Sequence, residues 1–289
     1  VPPGFTRKLK LKTKHIFYQV ETLVFGDAIN RAINPERIII GCMNKNKALD
    51  KRLKVFLSSF NCPILPMSYE SAELSKISIN LFLVSSVTIA NTLAEVCENI
   101  GADWDEIIPA LRLDKRIGRH AYIKAGLGIS GGNLERDMQT IVRLGQSYKT
   151  DINSIKSFLF NSKHRKNWIW ETLQKVIDVK KENSKISILG LAYKENTNSI
   201  KNSPSLKLIS YLSNFSVLVH DPAVKDDLPC FVERKETVNE CINGCDLLII
   251  ATPWDEYRNL RIAEIKKKMK GRIIIDPYRI VDGDLARQE

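Results

Sequence analysis

The spacing of apolar and polar positions divides the chain into three stretches. In residues 1–70, short apolar runs alternate with turn signals, and the run at 38–40 indicates a strand that follows a helix. Residues 71–180 have predominantly helical spacing, broken by one glycine-rich loop at 126–132. In residues 181–289, continuous apolar strands alternate with helices, which is typical of a parallel sheet covered on both faces. The pattern therefore predicts an α/β fold arranged in three stretches, and the length of the chain predicts two domains.

The turn after Gly190 is a candidate ligand site. Apolar runs predict strands over 186–190, 217–220, 247–251 and 273–276. Small residues lead from Gly190 to a helix that opens at Ser203, and backbone N–H groups at such a turn can hold a phosphate. Lys194 and Lys201 would add positive charge. The G-x-G-x-x-G spacing of dinucleotide-binding proteins is absent, so an ordinary strand-to-helix turn stays as the alternative.

Residues 77–94 carry no formal charge and approach the shortest length of a membrane span. Polar residues such as Asn80 and Asn91 interrupt them, Lys76 and Glu95 flank them, and their apolar residues recur at helical spacing. We interpret the stretch as a helix buried on most sides by protein, with a subunit interface beside the intramolecular one. We therefore expect a homodimer and no membrane partner.

Composition narrows the class of protein. The chain has 289 residues, 44% hydrophobic and 27% charged, which is typical of a globular protein. The formal charge of +11 favours anionic partners, but the basic residues are scattered and form no aromatic and basic stripe, so we expect no nucleic acid. Six irregularly spaced cysteines and no signal peptide indicate a cytoplasmic location. Cys241 and Cys245 have no nearby histidine, so we expect no metal site.

Three polar residues are candidates for chemistry. Lys76 and Asn80 lie one helical turn apart, and Asp137 follows the glycine-rich loop. An amine, an amide and a carboxylate in one pocket can orient a hydroxyl, stabilise an alkoxide and move its proton. Spacing alone does not show that the three converge, so a polar helix face remains the alternative.

The order and spacing of many segments resemble the UDP-glucose/GDP-mannose dehydrogenase family over essentially the whole chain. The matching segments are 1–6, Glu21, Lys76 with Asn80, 101–103, 114–118, the loop ending at Asp137, 190–194, Thr197, 203–204, 220–222, 252–254 and 276–279. The resemblance implies the end of an N-terminal NAD-binding Rossmann domain in 1–70 and a central helical dimerisation domain in 71–180. It implies a C-terminal, Rossmann-like UDP-binding domain in 181–289. The chain would then begin after the family's dinucleotide fingerprint.

The same resemblance implies an NAD-dependent oxidation of a nucleotide sugar, with a UDP-sugar as the first expectation. The implied catalytic positions are Glu21, Lys76, Asn80, Asn133 and Asp137. The implied substrate-binding positions are Arg116, Gly128, Gly131, Lys194 and Arg279. Lys201 stands where the family has an arginine that contacts NAD. A lysine ammonium cannot form the paired hydrogen bonds of a planar guanidinium, so we expect that contact to differ.

The chain departs from the family at the nucleophile. The family places a cysteine in G-G-x-C-x-x-x-D, where it captures the aldehyde and then forms a thioester. Counting back from Asp137 puts Asn133 at that position, and counting forward from 131–132 puts Leu134 there. Neither side chain is a nucleophile. We therefore expect an oxidation that stops at the aldehyde.

Two other classes of protein remain as alternatives. A non-catalytic subunit for sugar-nucleotide binding or assembly would fit the missing cysteine. A nucleic-acid-binding protein is suggested only by the net charge. The sequence does not identify the sugar, the base or the direction of the reaction.

Overall fold

A computed structural model describes residues 1–13, 15–24, 26–44, 49–176 and 184–288. Its helices are α1 (Ala28–Ile33), α2 (Lys51–Ser58), α3 (Tyr69–Ile100), α4 (Trp104–Leu113), α5 (Asn133–Tyr148), α6 (Asn153–Arg165), α7 (Trp168–Val176), α8 (Pro204–Ile209), α9 (Val238–Ile242), α10 (Ile262–Lys268) and α11 (Gly283–Gln288). Its strands are β1 (Tyr18–Gln19), β2 (Ile38–Cys42), β3 (Ile64–Ser68), β4 (Lys185–Leu189), β5 (Ser216–His220), β6 (Val232–Arg234), β7 (Leu247–Ile250) and β8 (Ile273–Ile275). Short 3₁₀ turns cover Thr6–Lys8 and Asp255–Asn259.

The chain divides into two compact units. The first comprises Val1–Leu83 with Asp137–Leu144, and the second comprises Val84–Arg136 with Gly145–Glu289. The domain limits predicted at residues 70 and 180 stay predictions, and residue 180 lies outside the described ranges.

The first unit contains a three-stranded sheet in the order β1-β2-β3. Strand β1 is antiparallel to β2, whereas β2 and β3 are parallel. All five residues of β2 are buried, and α3 approaches the strand closely at Gly41, where a Cβ would lie 3.0 Å from the Cβ of Ala72. The alternation of helices and strands predicted here is confirmed.

The second unit contains a five-stranded, all-parallel sheet in the order β6-β5-β4-β7-β8. Along β7, Leu247 and Ile249 join the core on one face, and Leu248 and Ile250 join the core on the other. Both faces are therefore covered, as continuous apolar strands predict. Strand β6 was not predicted, because Glu233 is exposed, the two residues beside it are only partly buried, and the three form no apolar run.

The central region is helical, as predicted, but its details differ. The helix expected over 77–94 is α3, which is 32 residues long, and the non-helical stretch before α5 spans 114–132 rather than only the glycine-rich loop. The expectation that this helix is buried on most sides is wrong for a single chain, since Phe82 is 77% exposed and Ile89 55% exposed. Among the described residues of the chain, Ile89, Leu93, Val96 and Ile100 on this helix stay exposed.

Helix α3 also passes a length and composition test for a membrane span. Its most apolar window is 33% buried, and among the described residues it is the single helix that passes. One such helix is weak support for a membrane, since core helices of soluble proteins pass the same test. The membrane expectation therefore stays a prediction.

Candidate functional site

Lys76, Asn80 and Asp137 converge in the first unit. Lys76 and Asn80 stand one turn apart on α3, and Asp137 comes from α5. The Asn80 amide donates a hydrogen bond to Asp137 Oδ2 at 2.6 Å, and Lys76 Nζ lies 3.5 Å from the same oxygen. Asp137 is buried, so its charge is compensated by these groups rather than by bulk water. The polar helix face is thus part of a three-residue cluster.

Tyr18 on β1 was not predicted as a site residue. Burial raises the pKa of its phenol, and the negative charges of Glu73 and Asp137 raise that pKa further. The phenol therefore carries its proton at neutral pH and is influenced by the carboxylate of the cluster. A tyrosine in a two-residue strand carries no spacing signal that would have identified it.

Glu73 is a second buried carboxylate of the first unit, and it is fully buried. Its oxygens accept hydrogen bonds from Gly4 N at 2.5 Å, Thr6 N at 2.7 Å and Thr6 Oγ1 at 2.6 Å. One turn away on the surface, Arg7 forms a bidentate pair with Glu70 and holds the pKa of that carboxyl at about 2. The N-terminal segment is thereby attached to the first turn of α3.

Glu21 and Asn133, two other predicted catalytic positions, are exposed. Glu21 follows β1, and its carboxylate accepts a hydrogen bond from Leu23 N at 2.9 Å. Asn133 is the first residue of α5 and precedes Asp137 by about one helical turn on the same face. Their catalytic roles stay predictions.

The glycine-rich loop of the second unit is held at its start by two buried side chains. Asn91 Oδ1 on α3 accepts a hydrogen bond from Gly126 N at 2.7 Å. The guanidinium of Arg165 on α6 donates to Gly126 O at 3.0 Å, although Arg165 is 3% exposed. Neither residue was predicted, because each lies more than thirty positions from Gly126 in the sequence.

Glycine is required at two further positions of this loop. Gly128 has φ +81°, and a Cβ there would lie 2.7 Å from the carbonyl oxygen of Ser162. Gly131 has φ +79°, and a Cβ there would lie 3.0 Å from the ring of Tyr193. Both residues are predicted substrate contacts, and the structure shows close packing at each position.

The end of the loop contacts the segment that follows β4. Gly131 N donates to the carbonyl of Lys201 at 3.0 Å, and Asn202 Nδ2 donates to Gly131 O at 2.9 Å. A Cβ at Gly132 would lie 2.8 Å from Lys201 Nζ, so the ammonium lies against the start of α5. The glycine-rich loop and the predicted cofactor contact Lys201 are therefore neighbours.

The proposed phosphate turn after Gly190 requires a correction. Asp221, at the end of β5, accepts the N–H groups of Leu191 at 2.6 Å and Ala192 at 2.9 Å. Tyr193 N donates to the carbonyl of Ser199. These backbone donors are already used, so the expectation that they hold a phosphate is wrong. A diphosphate at this edge would depend on other donors, of which the Lys194 side chain is the predicted one.

The two predicted substrate arginines pair with carboxylates of their own unit. Arg116 is exposed, and its guanidinium lies 2.6 Å from Asp114. Arg279, with φ +51°, lies 2.8 Å from Asp103 and 3.1 Å from Asp105, at the start of α4. The Asp103 carboxylate raises the pKa of Arg279. Both arginines are exposed, so each of these ion pairs contributes little to stability.

The arrangement of the second unit defines the class of protein. The loops after β4, β5, β7 and β8 meet at the carboxyl edge of a parallel sheet, where α/β domains bind nucleotides. The family model for the central domain of the UDP-glucose/GDP-mannose dehydrogenase family matches residues 70–162, and the model for its UDP binding domain matches 187–283. The chain belongs to the UDP-glucose/GDP-mannose dehydrogenase family, which confirms the resemblance in the sequence.

Similar proteins support the same assignment. The UDP-glucose 6-dehydrogenase of Rickettsia prowazekii is 30% identical over 302 residues, which cover 100% of this chain and 69% of that protein. UDP-glucose 6-dehydrogenase TuaD of Bacillus subtilis is 30% identical over 89% of this chain and 56% of its own length. The solved structure of a UDP-glucose dehydrogenase from the archaeon Pyrobaculum islandicum superposes with a TM-score of 0.79 at 26% identity, covering 93% of this chain and 62% of that one. The chain thus spans 56–69% of the length of these relatives.

Proposed function

We propose that the full protein is an NAD-dependent, cytoplasmic dehydrogenase that oxidises a CH–OH group of a UDP-sugar, and that this chain supplies its proton-handling cluster and its nucleotide-binding domain. The observation that carries the proposal is the buried carboxylate of Asp137, bound by Asn80 at 2.6 Å and approached by Lys76 at 3.5 Å. Membership of the family supports the substrate class.

The cluster fits the first half of an alcohol oxidation. Loss of a hydride from the carbon and of a proton from the hydroxyl converts the CH–OH group to a carbonyl. The Asp137 carboxylate accepts the hydroxyl proton, while the Lys76 ammonium and the Asn80 amide stabilise the developing alkoxide. Burial of the Asp137 carboxylate strengthens these interactions because water screens them less there.

One residue of this chain fits a role towards the cofactor. Lys201 Nζ lies against Gly132 at the start of α5, and a cation there suits an anionic diphosphate. NAD, when bound, supplies the hydride acceptor. The chain's own residues bind the nucleotide sugar, orient the hydroxyl and remove its proton.

Asn133 limits the reaction to one oxidation. A thiolate adds to an aldehyde and later leaves, which is how a thioester forms, whereas a carboxamide is a poor nucleophile and does neither. Asn133 begins α5, one turn before Asp137, and Leu134 beside it is apolar. We propose that the product is an aldehyde or its hydrate, with one NADH formed per sugar.

The test uses the full-length protein with NAD and a panel of nucleotide sugars, and it follows NADH and product mass together. We expect one NADH per sugar and an aldehyde. The matched variant Asn133→Cys is expected to produce some uronic acid. Two NADH per sugar and a uronic acid from the natural protein would contradict the proposal.

Asn133 also favours a second candidate, a non-catalytic nucleotide-sugar-binding subunit. That function predicts UDP binding without NADH from any sugar of the panel. The same experiment, with UDP titration added, separates the two candidates.

We also propose that the protein is a homodimer formed through α3. Four exposed apolar side chains recur along the helix at spacings of four, three and four residues: Ile89, Leu93, Val96 and Ile100. This spacing places them on one face, as in helix pairs with heptad packing. A second copy of the helix would cover the stripe that a single chain leaves exposed.

A further inference from the structure

Glu73 has no role in the chemistry described so far, yet it is the most completely buried charged residue of the first unit among those described. It lies three residues before Lys76 and seven before Asn80, so the three side chains share one face of α3. Its carboxylate accepts three hydrogen bonds from Gly4 and Thr6. The helical face that carries the cluster is therefore also the face that holds the N-terminal segment.

The three bonds require a group that only accepts. A carboxylate has two oxygens with enough lone pairs for all three donors. Gly4 N–H donates to one of these oxygens and Thr6 N–H donates to the other. A carboxamide at the same place would keep one oxygen and would turn an NH₂ group towards a backbone N–H. Such a buried mismatch releases the segment, because an unpaired buried donor is costly.

We propose that Glu73 is a positioning residue: it fixes residues 4–6 against the first turns of α3 and thereby holds Lys76 at its place beside Asp137. The proposal rests on the proposed function. The distance from Lys76 Nζ to Asp137 Oδ2 is 3.5 Å, so a small rotation of that turn changes the contact. Misplacement of a reacting group by about 1 Å costs about a hundredfold in rate. Tyr18 supports the connection, because the charges of Glu73 and Asp137 both raise the pKa of its phenol.

The experiment is carried out on the full-length protein with NAD and the nucleotide sugar that it oxidises. For Glu73→Gln we expect kcat to fall at least about tenfold while KM for the nucleotide sugar stays within about twofold, because Glu73 is not among the predicted substrate contacts. Hydrogen exchange at Gly4 and Thr6 should accelerate in the same variant. The matched control is Glu70→Gln, which removes the exposed pair with Arg7 on the same helical turn and should leave kcat within about twofold.

A second variant covers the case in which Glu73→Gln does not fold. Thr6→Val removes one of the three hydrogen bonds and keeps the carboxylate, and we expect kcat to fall by about twofold to fivefold with KM unchanged. Faster exchange at Gly4 and Thr6 with an unchanged kcat would overturn the positioning role. If the natural protein oxidises no nucleotide sugar, the proposed function itself fails and the positioning role fails with it.

Discussion

Two buried carboxylates of the first unit differ in the kind of partner that compensates them. Asp137 faces the ammonium of Lys76 and the amide of Asn80, so one of its two partners is charged. Glu73 faces two backbone N–H groups and one hydroxyl, none of which carries a charge. This difference fits the two proposals, in which Asp137 accepts a proton and Glu73 holds the N-terminal segment.

Sequence spacing predicted the first group but not the second. Lys76 and Asn80 lie one helical turn apart, and Asp137 follows the glycine-rich loop. Both patterns involve residues that are close in the sequence. Glu73 lies one turn before Lys76 on the same face of the helix. That spacing could have identified Glu73, but it was not predicted as a site residue. Its partner Thr6 lies 67 residues away, a pairing that only the fold shows.

The correction at Gly190 has the same physical origin. A turn after a strand presents N–H groups, and the local sequence says nothing about what occupies them. Asp221 reaches Leu191 from 30 residues away and takes the place of the expected phosphate. Side chains of the turn thus become the expected ligands of a diphosphate.

This conclusion predicts a large effect at Lys194. Replacing Lys194 with Ala should weaken UDP binding by about 1–3 kcal/mol, the range for a hydrogen bond to a charged group. Isothermal titration with UDP measures the change. The control is Lys270→Ala, which removes a lysine that is 77% exposed and follows α10, and it should leave the affinity unchanged. An unaltered titration for Lys194→Ala would place the diphosphate elsewhere.

At the scale of elements, α3 serves two purposes along its length. Its first turns carry Lys76 and Asn80, and its later turns carry Asn91, which holds the glycine-rich loop. Apolar periodicity predicted the helix but not its length, because polar residues flank the uncharged core at both ends and still continue the helix. The sequence predicted that the helix has more apolar surface than one chain covers, but it did not identify which residues are exposed.

The stripe predicts how the dimer can be broken. Ile89 is 55% exposed at the start of the stripe, so Ile89→Glu would place a charge in the interface, and we expect a monomer. Sedimentation velocity at micromolar concentration of the full-length protein measures the state. The control is Tyr148→Glu, which changes an exposed apolar residue at the end of α5 and should leave the dimer intact. A natural protein that sediments as a monomer would refute the interface.

For the whole molecule, the fold class was predictable and the division into units was not. Buried parallel strands produce continuous apolar runs, so the second sheet is visible in the sequence. Residues 137–144 belong by contact to the first unit although they follow a long part of the second in the sequence. Such a discontinuous unit leaves no mark in composition or periodicity.

The net charge of +11 belongs to the whole molecule, and it raises the question of whether UDP responds to that charge or to local lysines. The carboxyl edge of the second sheet carries Lys194, whereas residues 266–268 end α10 at the amino edge, where Lys268 O bonds Gly244 before β7. At 0.1 M salt, electrostatic attraction between charges is screened beyond about 10 Å. We therefore expect Lys194 to contribute more to UDP affinity than residues 266–268 do.

We therefore expect UDP affinity to fall by about threefold or more between about 50 and 500 mM NaCl, because salt screens the attraction between a diphosphate and nearby ammonium groups. Replacing all three lysines of 266–268 with Ala lowers the formal charge by three and should change neither the affinity nor its salt dependence. Titrations of UDP into both proteins at several salt concentrations measure this. If the triple variant loses as much UDP affinity as Lys194→Ala does, the net charge of the whole molecule attracts the nucleotide. If the UDP affinity of the natural protein does not change with salt, a charged diphosphate site is contradicted.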